Sequence, residues 1–394
     1  MATMAAAARK FEKADRLKQL PPYLFVEIDK AKRKLQAEGK DVIDLGVGDP
    51  DLPTPKHIID VLKKTVDDPA NHRYSFTEGI KALRESIARW YDRRFGVQLD
   101  PQAEILPLLG SKEGIAHFPL AVCNPSDAVL VPEPCYPPYR SGTLFAGADV
   151  VHMPLLEENN FFPDLGAISQ KSAKRAKVMF LNYPNNPTSA VVEKAQLEEA
   201  VDFAKTFRCA IAYDNAYSEV AYDGYKPMSI LELPQARDSC IEFHSLSKTY
   251  NMTGWRIGWA CGNAQLIAAL NQLKSNLDSG IFQPIQYAGI EALEGDQGPL
   301  QEAIKTYQHR RDLFADGLTK AGWKINKPKA SLYIWTRVPS GETSIGFAAK
   351  VLQKAHVVIT PGVGFGPSGE GYVRLSLTVP TARIQEAIQR LTAL

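Results

Sequence analysis

The first clear rhythm along the chain is helical. Residues 25–39 repeat their apolar positions every three to four residues, and Gly39 closes the run with a residue suited to a helix C-terminus. A short strand over residues 42–45 runs into Gly46-Val47-Gly48-Asp49-Pro50. From about residue 80 the pattern alternates. A helix over residues 80–94 leads to a strand at 104–109, and a second helix leads to a strand at 128–132. Further apolar strands follow at 150–154, 178–183, 210–214, 240–244 and 257–261. Strands that are apolar almost throughout, separated by helices, predict an α/β sheet covered on both faces. Ligands of such sheets gather at the carboxyl ends of the strands. A long helical stretch over residues 283–317 leads away to a second unit, with strands near 332–337, 357–360 and 372–377 and a last helix over 381–394.

A chain of 394 residues exceeds one ordinary core, so two domains are expected. The predicted division gives a large unit over residues 50–285 and a small one built from 1–49 plus 286–394. A formal charge of +2 creates no long-range field, so neither nucleic acid nor an anionic membrane is an expected partner. Cys123, Cys135, Cys209, Cys240 and Cys261 are scattered, without C-x-x-C pairs or metal-like spacing to histidine. Most sit in apolar runs as small hydrophobes, and an unpatterned, odd set fits a reducing cytoplasm. The first 18 residues lack the apolar core of a signal peptide, and no run is long enough to span a bilayer.

Chemistry concentrates around one lysine. Ser245-Leu246-Ser247-Lys248 follows a strand, and Arg256 comes soon after. Two hydroxyls and a guanidinium make a dianion site beside an amine, which suits a cofactor with a phosphate at one end and an aldehyde at the other. A lone lysine would be read as a solvated surface group, but the flanking residues change that reading. Asp214 ends another apolar strand, where a carboxylate needs a cation or a helix to cap. The protonated ring nitrogen of pyridoxal phosphate is such a cation. Tyr217 stands three residues on, within reach of the ring's phenolic oxygen. Asn186, in Asn185-Asn186-Pro187-Thr188, is either a turn residue or a donor to that oxygen and to a substrate carboxylate.

Three further features are weak alone. Gly110-Ser111-Lys112 opens a helix, whose free backbone N–H groups form a phosphate site. Tyr136 can stack on a flat ring or simply pack. Arg374 lies in an otherwise apolar strand and needs an anion, either a substrate carboxylate or an internal partner. Two matches are set aside. Gly364 to Gly369 fits a dinucleotide fingerprint but precedes a strand, and Asn251-Met252-Thr253 fits a glycosylation site only by accident.

With these residues in order, the chain resembles the class I and II aminotransferases of pyridoxal-phosphate (PLP) fold type I, from about Tyr23 to the C-terminus. The resemblance implies a large, mostly parallel seven-stranded sheet domain with a smaller α+β domain. It implies Lys248 as the lysine joined to PLP as a Schiff base, Asp214 on the ring nitrogen, and Tyr217 and Asn186 on the ring oxygen. Tyr136 would stack on the ring, while Ser111, Lys112, Ser245, Ser247 and Arg256 would hold the phosphate. Arg374 would clamp the substrate α-carboxylate. Tyr74 matches a tyrosine that family members lend across a homodimer to the neighbour's phosphate. The usual N-P-T-G reads Asn186-Pro187-Thr188-Ser189 here.

Several stretches are similar to the LL-diaminopimelate aminotransferases of lysine biosynthesis, among them residues 20–25, 46–51, 110–114 and 277–280. That similarity would place Tyr23 and Gly48 in the substrate pocket, with an amino acid and 2-oxoglutarate as substrates. The alternatives are an aspartate, alanine or aromatic aminotransferase, or a C–S lyase of the same fold. A PLP-binding transcriptional regulator is not expected, because about twenty residues ahead of Tyr23 are too few for a DNA-binding module.

Overall fold

The structure, a computed structural model, describes residues 11–20 and 24–394. Its strands are β1 (Ile43–Asp44), β2 (Ile105–Leu108), β3 (Ala128–Glu133), β4 (Asp149–Pro154), β5 (Ala176–Asn182), β6 (Ala210–Asp214), β7 (Cys240–Ser245), β8 (Gly258–Gly262), β9 (Tyr333–Arg337), β10 (Val357–Val358), β11 (Thr360–Pro361) and β12 (Tyr372–Ser376). Seven of them form one sheet in the order β2-β8-β7-β6-β5-β3-β4. Only β8 runs against its neighbours, pairing antiparallel with both β2 and β7.

The period-two geometry of a strand explains why both faces of this sheet are buried. Val178 and Phe180 of β5 join one apolar cluster with Phe118 of the helix Ser111–Val122 and Leu270 of the helix Ala264–Leu277. Met179 and Leu181 point the other way. They join Ile87 of the helix Lys81–Phe95, Leu197 of the helix Lys194–Phe207 and Ala288 of the helix Gln283–Glu294. Burying each large apolar side chain contributes about 1.5–3 kcal/mol, so central strands such as β3 and β5 read as largely apolar runs, whereas the edge strand β4 is mostly exposed or half-buried.

A third cluster gathers Ile43 and Leu45 with Phe314, Ile334, Val351, Val373, Leu375 and Ile384, uniting the N-terminal strand with the last third of the chain. Around it lie a three-stranded sheet, β11-β12-β9, and the pair β1-β10. Tyr217, from the turn after β6, belongs to this third cluster and so sits at the seam.

Two predicted elements differ from what forms. The helix expected over 283–317 is two helices, Gln283–Glu294 and Gly298–Lys320. Gly295 leaves the helix at ψ −165°, and Gln297 closes the first helix by donating to the carbonyls of Ala292 and Gly295 at 3.0 and 2.8 Å. The strand expected over 357–360 changes sheet midway: Val357 and Val358 pair parallel with β1, while Thr360 and Pro361 pair antiparallel with β12. Among the described residues, no helix is long and apolar enough to cross a membrane.

Candidate active site

Register brings the polar residues into one row. Asn182 pairs with Asp214 across β5 and β6, and Asp214 lies opposite Phe243 of β7, two residues before Ser245. Because β8 enters antiparallel, its first residue Gly258 lies between Ser245 and Leu108, the end of β2. The carboxyl ends of β2, β5, β6 and β7 therefore border a single cavity of about 630 Å³. Gly48, Ser111, Lys112, Tyr136, Asn186, Asp214, Tyr217, Ser245, Ser247, Lys248, Arg256 and Arg374 all line it. Tyr74 does not: it is 93% exposed, away from this cavity. Tyr23 lies outside the described residues.

One end of the cavity is built for an anion. Gly110 turns at φ +80° into the helix Ser111–Val122, and a methyl group there would come within 2.3 Å of the Arg256 guanidinium. The turn thus admits the arginine beside the helix N-terminus, whose free N–H groups favour negative charge. Arg256 stands at φ +55° and is held by Nη1 donating to the Thr253 carbonyl at 2.8 Å. Ser245 Oγ accepts from the Ser247 N–H at 3.1 Å, capping the short helix Leu246–Thr249 that carries Lys248. Behind the turn, Glu113 accepts from the Leu109 N–H at 2.5 Å and from Lys274 Nζ at 2.8 Å. Lys274 is fully buried and also donates to Asp278 at 2.5 Å.

The other end carries the carboxylate. Asp214 is buried; its Oδ2 accepts from the Tyr139 hydroxyl at 2.7 Å and its Oδ1 from the Ala216 N–H at 3.3 Å. Burial pushes its carboxyl up to about 6, and the two neutral donors oppose that only in part. The Ala216 contact shapes a turn rather than a helix cap. Such a group calls for a cation in front of it.

Between the two ends, Lys248 Nζ donates to the Gly48 carbonyl at 2.7 Å. Asn182 fixes the neighbouring turn: its Nδ2 donates to the Asp214 carbonyl at 2.8 Å, and its Oδ1 accepts from the Asn186 N–H at 2.8 Å. The buried guanidinium of Arg374 donates to Asn186 Oδ1 and to the Gly46 carbonyl, each at 2.7 Å. With its oxygen committed to Arg374, the Asn186 amide keeps its N–H₂ as a donor.

The family model for aminotransferase class I and II matches residues 40–391. The chain is a member of that family. It is 53% identical over 384 residues to an LL-diaminopimelate aminotransferase of Syntrophobacter fumaroxidans, covering 98% of this chain and 99% of that protein. A second LL-diaminopimelate aminotransferase, from Desulforudis audaxviator, is 54% identical over 381 residues, 97% of each chain. Among solved structures, substrate-bound BacF from Bacillus subtilis superposes with a TM-score of 0.93 at 38% identity, covering 98% of both chains. A Thermus thermophilus aspartate aminotransferase variant gives a TM-score of 0.90 at 28% identity, over 98% of this chain and 100% of that one.

The donor set of this aminotransferase fits the cofactor its family implies: a dianion seat, a buried carboxyl in want of a cation, and an amine between them. Two neighbours of that set were not singled out in the sequence. Tyr139 contacts Asp214 directly, and Tyr333 lines the cavity with its hydroxyl 2.7 Å from that of Tyr217. Tyr333 sits in a strand that the periodicity does show. Nothing in that pattern separates it from the packed aromatics around it, such as Trp335.

Proposed function

We propose that this enzyme is an LL-diaminopimelate:2-oxoglutarate aminotransferase. The observation that carries the reading is the 53% identity to a protein of that name over nearly the whole of both chains. Solved aspartate and aromatic aminotransferases share the fold at 28% and 31% identity. When bound, PLP supplies an aldehyde for covalent capture of amines and a protonated ring that draws electrons from the substrate's α-carbon. Lys248 would be the residue that holds it, and the Lys248 amine, when free, would take and return the α-proton. Asp214 keeps the ring nitrogen protonated. Tyr217 and the Asn186 N–H₂ would donate to its ring oxygen, and Tyr136 would stack on the ring; all three line the cavity. Ser111, Lys112, Ser245, Ser247 and Arg256 hold the phosphate, and Arg374 grips the substrate α-carboxylate. Gly48 and Tyr23 border the substrate.

The working unit in this reading is a cytoplasmic homodimer, each chain divided into a large domain (50–285) and a small one (1–49 with 286–394). Support comes from exposed apolar residues that the fold groups together. Tyr74 and Phe76 are 93% and 84% exposed, and their loop is held against Gly280 and Gln286. Phe282 and Leu277 lie on that neighbouring segment. A patch of this kind marks a protein interface, and in a dimer Tyr74 would serve the partner's phosphate site. The test is coupled transamination of LL-diaminopimelate, aspartate and alanine with 2-oxoglutarate, read as glutamate formed. LL-Diaminopimelate is the preferred donor; a preference for aspartate or alanine, or release of ammonia and pyruvate, overturns the reading.

A further inference from the structure

Tyr333, on β9, touches three parts of the site at once. Its hydroxyl is 2.7 Å from that of Tyr217. Its ring lies against the Arg374 guanidinium, 4.2 Å from centroid to Cζ. A methyl group on Gly48 would come within 2.1 Å of its hydroxyl, so the phenol occupies the space that Gly48 leaves open. That same Gly48 offers its carbonyl to Lys248.

The backbone beneath Tyr333 is pinned as well. Ser189 Oγ donates to the Tyr333 carbonyl at 2.8 Å, so its 2.8 Å contact with Ser331 Oγ must be accepted from Ser331. Ser189 stands at φ +59°, where the family pattern has glycine, three residues after Asn186. The serine therefore ties the strand of Tyr333 to the turn of Asn186.

The two buried phenols are joined by a single hydrogen bond, which either hydroxyl can donate. Burial holds the Tyr217 phenol in its neutral form, so its own hydrogen is available to one acceptor only. If Tyr217 donates into the cavity, the bond between the phenols is donated by Tyr333. A phenol that accepts one hydrogen bond also donates a stronger one.

We propose that Tyr333 is a positioning residue for transamination: its hydroxyl donates to Tyr217 and aims that phenol at the cofactor's ring oxygen, with Ser189 holding the strand in place. The proposal rests on the PLP reading above. A donor aimed at the ring oxygen stabilises the chromophore's proton-free form and lowers the pH at which its visible absorbance titrates. Among the described residues, Arg374 on β12 and Asp214 on β6 act on Tyr217, and Lys248 and Asp49 line the same cavity. Tyr333→Phe alters none of them and keeps the ring against Arg374.

The experiment is a pH titration of the visible absorbance of purified holoenzyme. Tyr333→Phe raises the midpoint by about half to one pH unit, a three- to tenfold change in proton affinity. In a Tyr217→Phe background the same change adds nothing. Replacing Tyr333 with 3-fluorotyrosine, a more acidic donor of nearly the same shape, lowers the midpoint instead. A wild-type midpoint in Tyr333→Phe, an undiminished shift in the Tyr217→Phe background, or no response to fluorination overturns the proposal while transamination itself persists. Holoenzyme with normal absorbance and no amino transfer overturns the proposed function alone, and protein that takes up no PLP overturns both.

Discussion

Tyr139 steers the Asp214 carboxylate by one oxygen: its hydroxyl donates to Oδ2 at 2.7 Å, and its ring stacks on Phe180 with centroids 4.8 Å apart. Packing thus fixes the donor, and the donor fixes the carboxylate. The raised value of about 6 has a definite sign for stability. A carboxyl whose folded pKa exceeds its unfolded one binds protons better when folded, so it favours the fold at low pH and loses that contribution as pH rises through about 6. The shift of about two units from 3.8 corresponds to on the order of 3 kcal/mol between roughly pH 4 and 7. Cofactor-free Asp214→Asn is expected to gain melting temperature over wild type as pH rises from 5 to 8. Added PLP should shrink that gap by placing a cation opposite Asp214. A gap independent of pH, read by differential scanning fluorimetry, would contradict the assignment.

Lys248→Ala removes both the covalent anchor and the proton carrier of the proposed mechanism. Turnover should fall to background and the visible absorbance of the holoenzyme should disappear. Near-normal transamination by this variant would refute the role of Lys248.

Arg374→Lys keeps the charge but loses the planar fork that now reaches both Asn186 and Gly46. Losing a buried, charge-assisted contact costs about 2–4 kcal/mol, so kcat/KM should drop roughly thirty- to thousandfold. The loss should appear with both amino acid and oxo acid, because each carries the same carboxylate. An effect confined to one substrate would place Arg374 elsewhere in the chemistry.

Tyr74 is exposed on its own chain and does not line that chain's cavity, so the phosphate contact proposed for it would be made in a second subunit. Tyr74→Ala and Lys248→Ala subunits, each poorly active alone, should recover part of the activity when mixed and refolded together. A mixed dimer contains one site with both residues intact. No recovery, with mixed dimers shown to form, would exclude a shared site.

Much of this was legible in the chain because most of the buried parallel strands are largely apolar and end abruptly in polar residues, although β7 carries the buried Glu242 and His244. Asp214 and Asn186 stand out against the runs that precede them, and Lys248 against its hydroxyl neighbours. Tyr333 was hidden for the opposite reason, since a tyrosine in a strand is ordinary and its partner Tyr217 lies 116 residues earlier. Tyr139 was masked by Tyr136, three residues before it and equally plausible as the ring neighbour. The helix break at Gly295 and the change of sheet between Val358 and Thr360 depend on partners far along the chain, which local periodicity does not report.

The buried Lys274 braces the turn at Gly110 from behind, through Glu113 and the Leu109 N–H. If the phosphate site is as proposed, its receptor is preorganised by this internal Lys274–Glu113 pair rather than assembled by its guest. Protein stripped of its cofactor should therefore recapture it at close to the encounter rate, with little remodelling of the loop. Neutralising Lys274 would leave the anion-binding atoms unchanged in kind and make them slow to find their places.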